Sequence, residues 1–467
     1  MITFFPNLIS RKAIIGYFVT LAVVSVVFMD HALPFYMMLF GTAEVCLFFV
    51  FSHQLTLQWY RLHPKVFEKK LFVTSLIIRL VYMIFAYFFY DYMTGQPFMF
   101  HSADEQLYYS ASKIWREQGY SALMNELQWI GLSDSGEIWW NGLLCLLFGP
   151  YILTARIGHC LASALTCVLI YRIAKRHFGE RTARMSAIFC MLMPNLIYYC
   201  GIHLKEANMV FATVLLVDSI DVLLSESKFS WTSFVLAVVA AFVLFTFRTP
   251  LGIVGLLAVM VAIVFNKGKL TSIWKKVGMA VLVVAVLSTT AIGNRLKEEV
   301  DELWAAGETN QSVGMEFRAK RAGGNSFAKD ASAVMFAPVI FTLPFSSMVY
   351  TELQENQQMI HGGNFVKNVL SGFVVFALVL LVFRGDWRKH TLPLAMMLGY
   401  LVVIAFSNFA HSERFHQPAL PFELMFAAYG ISQLQKKHVK WIDYWIVFVV
   451  AANVGWAYIK LAGRGML

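Results

Sequence analysis

The sequence predicts an all-α fold, a polytopic transmembrane helical bundle, and three observations lead there. Hydrophobic residues fill 58% of the 467 positions and charged residues only 14%, whereas soluble proteins average about 25% charged. Apolar runs such as LFVTSLIIRLVYMIFAYFFY (71–90) and GFVVFALVLLVF (372–383) recur from end to end, with lengths near the ~20 residues a helix needs to cross a bilayer. The runs are continuous rather than alternating, which excludes a closed barrel, the other architecture that satisfies its backbone in lipid.

In chain order the expected spans are 13–29, 34–52, 71–90, 154–171, 185–200, 207–224, 231–247, 250–265, 277–292, 369–383, 391–408, 419–434 and 441–458, about 13 in all. Arg11 and Lys12 precede the first span and place the N-terminus inside. RLHPKVFEKK, RIAKRHFGERTAR, NKGKLTSIWKK, RGDWRKH and QKKHVK then fall on the same side, as the positive-inside rule requires. The net charge of +10 is explained by these loops, and no nucleic-acid partner is expected. The six cysteines, at 46, 145, 160, 167, 190 and 200, lie in or beside apolar segments without a CxxC pair. They read as small core residues, with no zinc site or disulfide framework. No cleavable signal peptide is expected, because more spans follow the first apolar run without a small-residue cleavage site.

The chain reads as one integral membrane domain, 1–467, with two long outer loops. The first, 91–139, holds seven acids against Lys113 and Arg116. The second, 293–368, opens with an amphipathic stretch in which Leu296, Val300, Leu303 and Trp304 share a face, the pattern of an interfacial helix. Its apolar part, 333–350, is interrupted by Pro338 and Pro344 and is expected to re-enter or lie on the membrane rather than cross it. No internal repeat is evident, which weighs against a repeat-built transporter. Loops this long in a compact protein are usually functional or disordered.

FMFHSADEQLYYSASKIW (98–115) places two acids, Asp104 and Glu105, side by side. Ser102 followed three positions later by Glu105 is a capping-box spacing, so Glu105 is expected to brace the helix start. Asp104 falls on a helical face with Leu107, Ala111 and Trp115. That face is expected to pack on the membrane body, turning Asp104 inward. A helix N-terminus favours the ionised carboxylate, the form a general base requires. The plain alternative is that Asp104 is one more acid in a first helical turn.

At this point the chain resembles the C-type (GT-C) membrane glycosyltransferases, in particular their protein-mannosyltransferase and aminoarabinose-transferase-like bacterial branch. The acidic pair followed by tyrosines in an early outer loop is similar to theirs. So is YILTARIGHCLASALTCVLIYRIAKRHFGERTARMSAIFCMLMPNLIYYCGIHLKEANMVF, running from a loop-end arginine to an outer turn with a Lys-Glu pair, Lys205 and Glu206. ERFHQPALPFELMFAAYG resembles their late Arg-x-x-x-Pro-x-x-Pro segment. The resemblance implies a transferase that takes a sugar from a polyprenyl-phosphate donor at the outer face of a bacterial inner membrane. Asp104 would deprotonate an acceptor hydroxyl on a glycan, lipid or protein, and the linkage would invert. Whether a divalent cation assists differs among members.

Such a reaction releases a lipid phosphate, which calls for fixed positive charge beside the acid. Lys205 stands where a helix begins, a place the helix dipole disfavours for a cation; its plain alternative is a snorkelling lysine. Arg248 stands alone at an outer turn, or is an ordinary topological stop. Arg414 lies among His411, Glu413 and His416, a cluster that binds phosphate, shuttles a proton or forms a surface ion pair. Arg156, at the edge of an apolar span, is the fourth donor-phosphate candidate, since intramembrane charge is costly; Arg79 reads as structural. Arg318 and Arg321, with Lys320, lead into glycines and either cradle a phosphate or hug lipid head groups. His101, His203, His411, Glu206 and Glu413 complete the assisting set. No HxxxH or HExxH spacing joins the histidines, so no metal ligands are assigned. The rival readings are a lipid-linked-substrate transporter or flippase, a polysaccharide polymerase or ligase using polyprenyl carriers, and a non-catalytic scaffold.

Overall fold

Long apolar runs have one inexpensive solution in lipid, a helix whose backbone bonds close within the segment, and the computed structural model adopts it throughout. It describes residues 4–130, 132–225, 229–265, 345–405, 412–435 and 438–467. The first three helices are α1 (Asn7–Val27), α2 (Phe35–Gln58) and α3 (Pro64–Thr94). α3 opens with a proline at its first position, where no backbone bond is lost. It closes on Gly95 at φ 73°, the left-handed stop that glycine adopts without strain.

The segment expected to form the first outer loop is itself helical: α4 (Ala103–Gln118), α5 (Tyr120–Ile130) and α6 (Leu132–Phe148). α6 crosses α4 at Gly142, where an added Cβ would lie 2.1 Å from the Trp115 ring. Only a hydrogen fits there. α7 (Ile152–Phe178) returns across the membrane. The expected span 185–200 is broken in two, α8 (Glu180–Leu192) and α9 (Pro194–Gly201), because Pro194 donates no backbone bond and begins a new helix. Then follow α10 (Glu206–Ser225), α11 (Trp231–Phe247) and α12 (Thr249–Phe265). The last group is α13 (Glu355–Met359), α14 (His361–Phe383), α15 (Thr391–Ala405), α16 (Glu413–His416), α17 (Leu420–Ser432) and α18 (Val439–Ala462).

Seven described helices are long and apolar enough to span: α1, α2, α3, α7, α10, α14 and α18. α11, α12 and α17 are shorter apolar helices. The chain is an integral membrane protein. The expected span 277–292, the amphipathic stretch from Leu296 to Trp304 and most of 333–350 lie outside the described residues. Of the last segment, 345–349 is buried and Val349 bridges to Ala32.

The helices alternate in direction and sort the connections to two ends. At one end, Arg184 donates to the carbonyls of Trp59, Tyr60 and Leu62 at 2.6–2.7 Å, and Phe178 stacks on Tyr429 with centroids 4.4 Å apart. All the described basic loops gather here. The other end collects the C-terminus of α3, helices α4 to α6, the turn between α9 and α10, and the N-termini of α14 and α17. α10 runs through the middle, 78% of its apolar window buried, whereas α3 buries 28% and faces outward with Ile77, Val81 and Phe88. The central helix therefore begins, at Glu206, in the floor of that second end.

Candidate active site

The acidic pair opens α4, but the two acids take opposite roles. Glu105 is fully buried and Asp104 half exposed. The inward face of α4 is Glu105, Tyr108, Ala111 and Ser112, while Leu107 is 41% exposed. This corrects the expected face by one residue: α4 rests on α6 and on the 202–205 turn, so its polar side is the covered one. The capping box is absent as well. Ser102 makes no cap bond, and Glu105 does not reach back to it. Its carboxylate accepts from the Met99 N–H at 2.7 Å and the His203 N–H at 2.5 Å.

Asp104 is nevertheless engaged. Its Oδ2 accepts from Arg414 Nη1 at 2.5 Å, and Arg414 Nε donates to Glu206 on α10. Burial alone would weaken the charge on Arg414, yet Glu206 and Asp104 hold its pKa well above the usual value. Lys205 is buried, pairs with Asp134 and donates to the Phe247 carbonyl at 2.9 Å. Burial lowers its pKa, with Asp134 acting against that shift. Arg248 follows Phe247 directly. Its guanidinium lies 4.1 Å from the Phe415 ring centroid and its Nη1 3.3 Å from the Tyr400 hydroxyl. Tyr108 sits among these groups, donating to Asp134 at 3.3 Å; burial and Asp134 raise its pKa.

Asp104, Glu206, Lys205, Arg248 and Arg414 thus converge from four separate segments. Other candidates lie elsewhere. Arg156 is fully buried, donating to the Pro97 carbonyl and lying 3.5 Å from Glu105. His203 is buried beside Asn141, and burial, then His159, push its pKa down to about 3. Glu413 is buried under the Tyr199 hydroxyl at 3.1 Å, its pKa raised by burial. His101 is exposed, 3.7 Å from Glu355. His411, Arg318 and Arg321 lie outside the described residues.

Sequence reasoning passed over Asp134, Tyr108, Tyr400 and Phe415. It also missed a buried cluster behind the turn, in which Glu137 accepts from His159 at 2.7 Å, Asn141 at 2.9 Å and Asn208 at 3.0 Å. Among the described residues, no group of three His, Cys, Asp or Glu side chains is placed to hold a metal ion.

Residues 137–292, from α6 through α12 and beyond, match the family described as dolichyl-phosphate-mannose-protein mannosyltransferase. The crystal structure of ArnT from Cupriavidus metallidurans bound to undecaprenyl phosphate is 13% identical with a TM-score of 0.48, over 86% of this chain and 77% of that chain. The same protein in the apo state gives 13% and 0.46, over 84% and 76%. No match is found among curated proteins. The family match covers the helices that deliver Lys205, Glu206 and Arg248 to this end of the bundle.

Proposed function

We propose that the protein transfers a sugar from a polyprenyl-phosphate-linked donor to an acceptor hydroxyl, with Asp104 as general base and Lys205, Arg248 and Arg414 holding the donor phosphate. The observation that carries this reading is the convergence at one end of the bundle of a solvent-reachable carboxylate and three cations from distant segments. The matched family is described by a dolichyl-phosphate sugar donor, which supports the carrier class. The site end lies opposite the basic loops and is assigned to the outer face of a bacterial cytoplasmic membrane, with the N-terminus inside.

In the reaction Asp104 takes the acceptor's hydroxyl proton while that oxygen attacks the anomeric carbon. The bond from that carbon to the phosphate oxygen breaks on the opposite face, so the configuration inverts and the phosphate leaves with the bonding electrons. Preorganised cations stabilise the departing charge without reorganisation. Arg414 links the two halves, because it holds Asp104 until a phosphate competes for the guanidinium. Donor binding then frees the base beside the sugar it activates. Glu206, on the other edge of Arg414, keeps the guanidinium in place during that exchange.

The test is Asp104→Asn in reconstituted protein supplied with undecaprenyl-phosphate sugar. Turnover is expected to fall by about 10²–10⁴-fold, the range for losing a general base, while lipid-phosphate binding stays intact. Turnover within a few-fold of wild type would remove Asp104 as the base. A polymerase that does not use Asp104 predicts that outcome, and a transporter predicts no transfer even by the wild type.

A further inference from the structure

The turn that bears Lys205 is gripped on both sides of one peptide bond. The Ile202 carbonyl and the His203 N–H belong to the same planar unit. His159 Nδ1 lies 3.1 Å from the carbonyl oxygen, and Glu105 Oε1 accepts from the N–H at 2.5 Å. One side of the peptide thus meets a histidine and the other a carboxylate, both fully buried.

The protonation of His159 follows from its partners. Its Nδ1 faces a carbonyl, which only accepts, and its Nε2 faces Glu137 Oε1 at 2.7 Å. Glu137 also takes N–H donors from Asn141 and Asn208, as an ionised carboxylate does. Both ring nitrogens therefore donate, and His159 is an imidazolium paired with Glu137. The peptide dipole lies between a cation at its oxygen and an anion at its N–H, the orientation in which both contacts attract. Glu105 adds a further link. Its other oxygen takes the Met99 N–H just before α4, so one carboxylate ties the start of the helix carrying Asp104 to the turn carrying Lys205. This explains why the two acids are adjacent: one faces the solvent-reachable cluster while its neighbour fixes where that cluster's lysine stands.

We propose that Glu105, His159 and Glu137 are positioning residues that clamp the Ile202–His203 peptide and so set Lys205 and Glu206 in register with Asp104 and Arg414. The proposal deepens the transferase reading and rests on it for its kinetic consequence, whereas the clamp can be read without activity.

Two substitutions of one residue separate its contacts. In His159→Asn the amide nitrogen replaces Nδ1 and keeps the bond to the Ile202 carbonyl. In His159→Gln the amide nitrogen replaces Nε2, keeping Glu137 and releasing the carbonyl. Amide hydrogen exchange over 199–209 in the full-length reconstituted protein is expected to stay slow in His159→Asn and to quicken at least tenfold in His159→Gln. Equal exchange in the two variants overturns the clamp. With wild-type transfer established, His159→Gln is expected to lose about 10–100-fold in kcat, the scale of a misplaced catalytic group. The Michaelis constant for the donor should change less, and His159→Asn should retain most of the kcat. A loss of the same size in both, tracking their melting temperatures, makes His159 merely structural and refutes the proposal. If His159→Gln does not fold, Glu105→Ala takes its place: it removes the acceptor of the His203 N–H on the other side of the same peptide and must quicken the same exchange. A wild type without transfer refutes the transferase reading alone, and the exchange arm still decides the clamp.

Discussion

The two ends of the bundle use the same kinds of charge in different ways. At the basic end Arg184 is filled by three backbone carbonyls and Glu180, and Arg176 joins Asp218 and Asp221 on a single neighbouring helix. Arg79, inside α3, donates to the Ser163 hydroxyl at 2.7 Å and to the carbonyls of Ser75, Met191 and Cys190 at 3.2–3.3 Å. Arg184 and Arg79 are closed by buried carbonyls of the fold, and Arg176 is a partly exposed cation paired with two acids of α10. At the site end Arg414 and Lys205 each face a carboxylate that reaches solvent, Asp104 at 48% and Asp134 at 40% side-chain exposure. A phosphate can take the place of such a partner, but not of a buried carbonyl whose loss would leave a polar group unsatisfied. The contrast separates cations held by buried backbone from cations whose partner carboxylates reach solvent, the property the proposed phosphate site requires.

After Asp104→Asn, the next largest effect expected is that of Arg414→Lys. Lysine keeps the charge but not the planar fork that spans Asp104 and Glu206. kcat should fall about 10–100-fold, with the protein still folded. Arg176→Lys at the opposite end should change kcat less than about twofold, in keeping with the small worth of partly exposed pairs. Equal losses in the two variants, measured side by side, would erase the distinction between the ends.

A smaller effect tests Lys205 through its partner. Burial pulls the Lys205 pKa down and Asp134 opposes that pull. Asp134→Asn removes the opposing charge, so Lys205 should lose its proton at a lower pH than in the wild type. If protonated Lys205 holds the phosphate, the alkaline limb of kcat/KM moves to lower pH and the acid limb stays in place. An unmoved alkaline limb would show that Lys205 belongs with the closed cations of the other end.

How far these features were legible depends on the length scale of the signal. Spans of ~20 apolar residues announce themselves, and α11 falls at 231–247 in both sequence and structure. Lys205 was visible because a cation at a helix start opposes the dipole, and Arg414 because it stands in a polar cluster beside a span. The break at Pro194 was hidden within an apolar run that looked continuous. The face of α4 was misjudged in its first turns, where Leu107 suggested an apolar contact: Glu105, Tyr108 and Ser112 are buried there against α6 and the turn, whereas Ala111 is buried as expected and Trp115 packs at Gly142 of α6. Asp134 is one of seven acids in its segment and Tyr108 one of 19 tyrosines in the chain, so neither is marked by composition. The Glu137–His159 pair is 22 residues apart and forms only when α6 settles on α7, which no local spacing records.

The smallest expected effect bears on how the site end is built. A serine acting as N-cap is worth about 1 kcal/mol, and the sequence offers Ser102 in that role. Among the described residues the Ser102 hydroxyl, which is buried, has no partner and makes no cap bond. Ser102→Ala removes an unsatisfied group, and by that argument it should leave stability within about 0.5 kcal/mol of wild type, with kcat unchanged. Thermal melting alongside turnover checks both. The near-zero expectation has content because α4 still needs an anchor. If Ser102 supplies none, the position of Asp104 comes from Glu105 reaching out to Met99 and His203, from outside the helix. A full kilocalorie lost in Ser102→Ala would mean that α4 stands on its own cap, and that the coupling between Asp104 and the Lys205 turn is weaker than the geometry indicates.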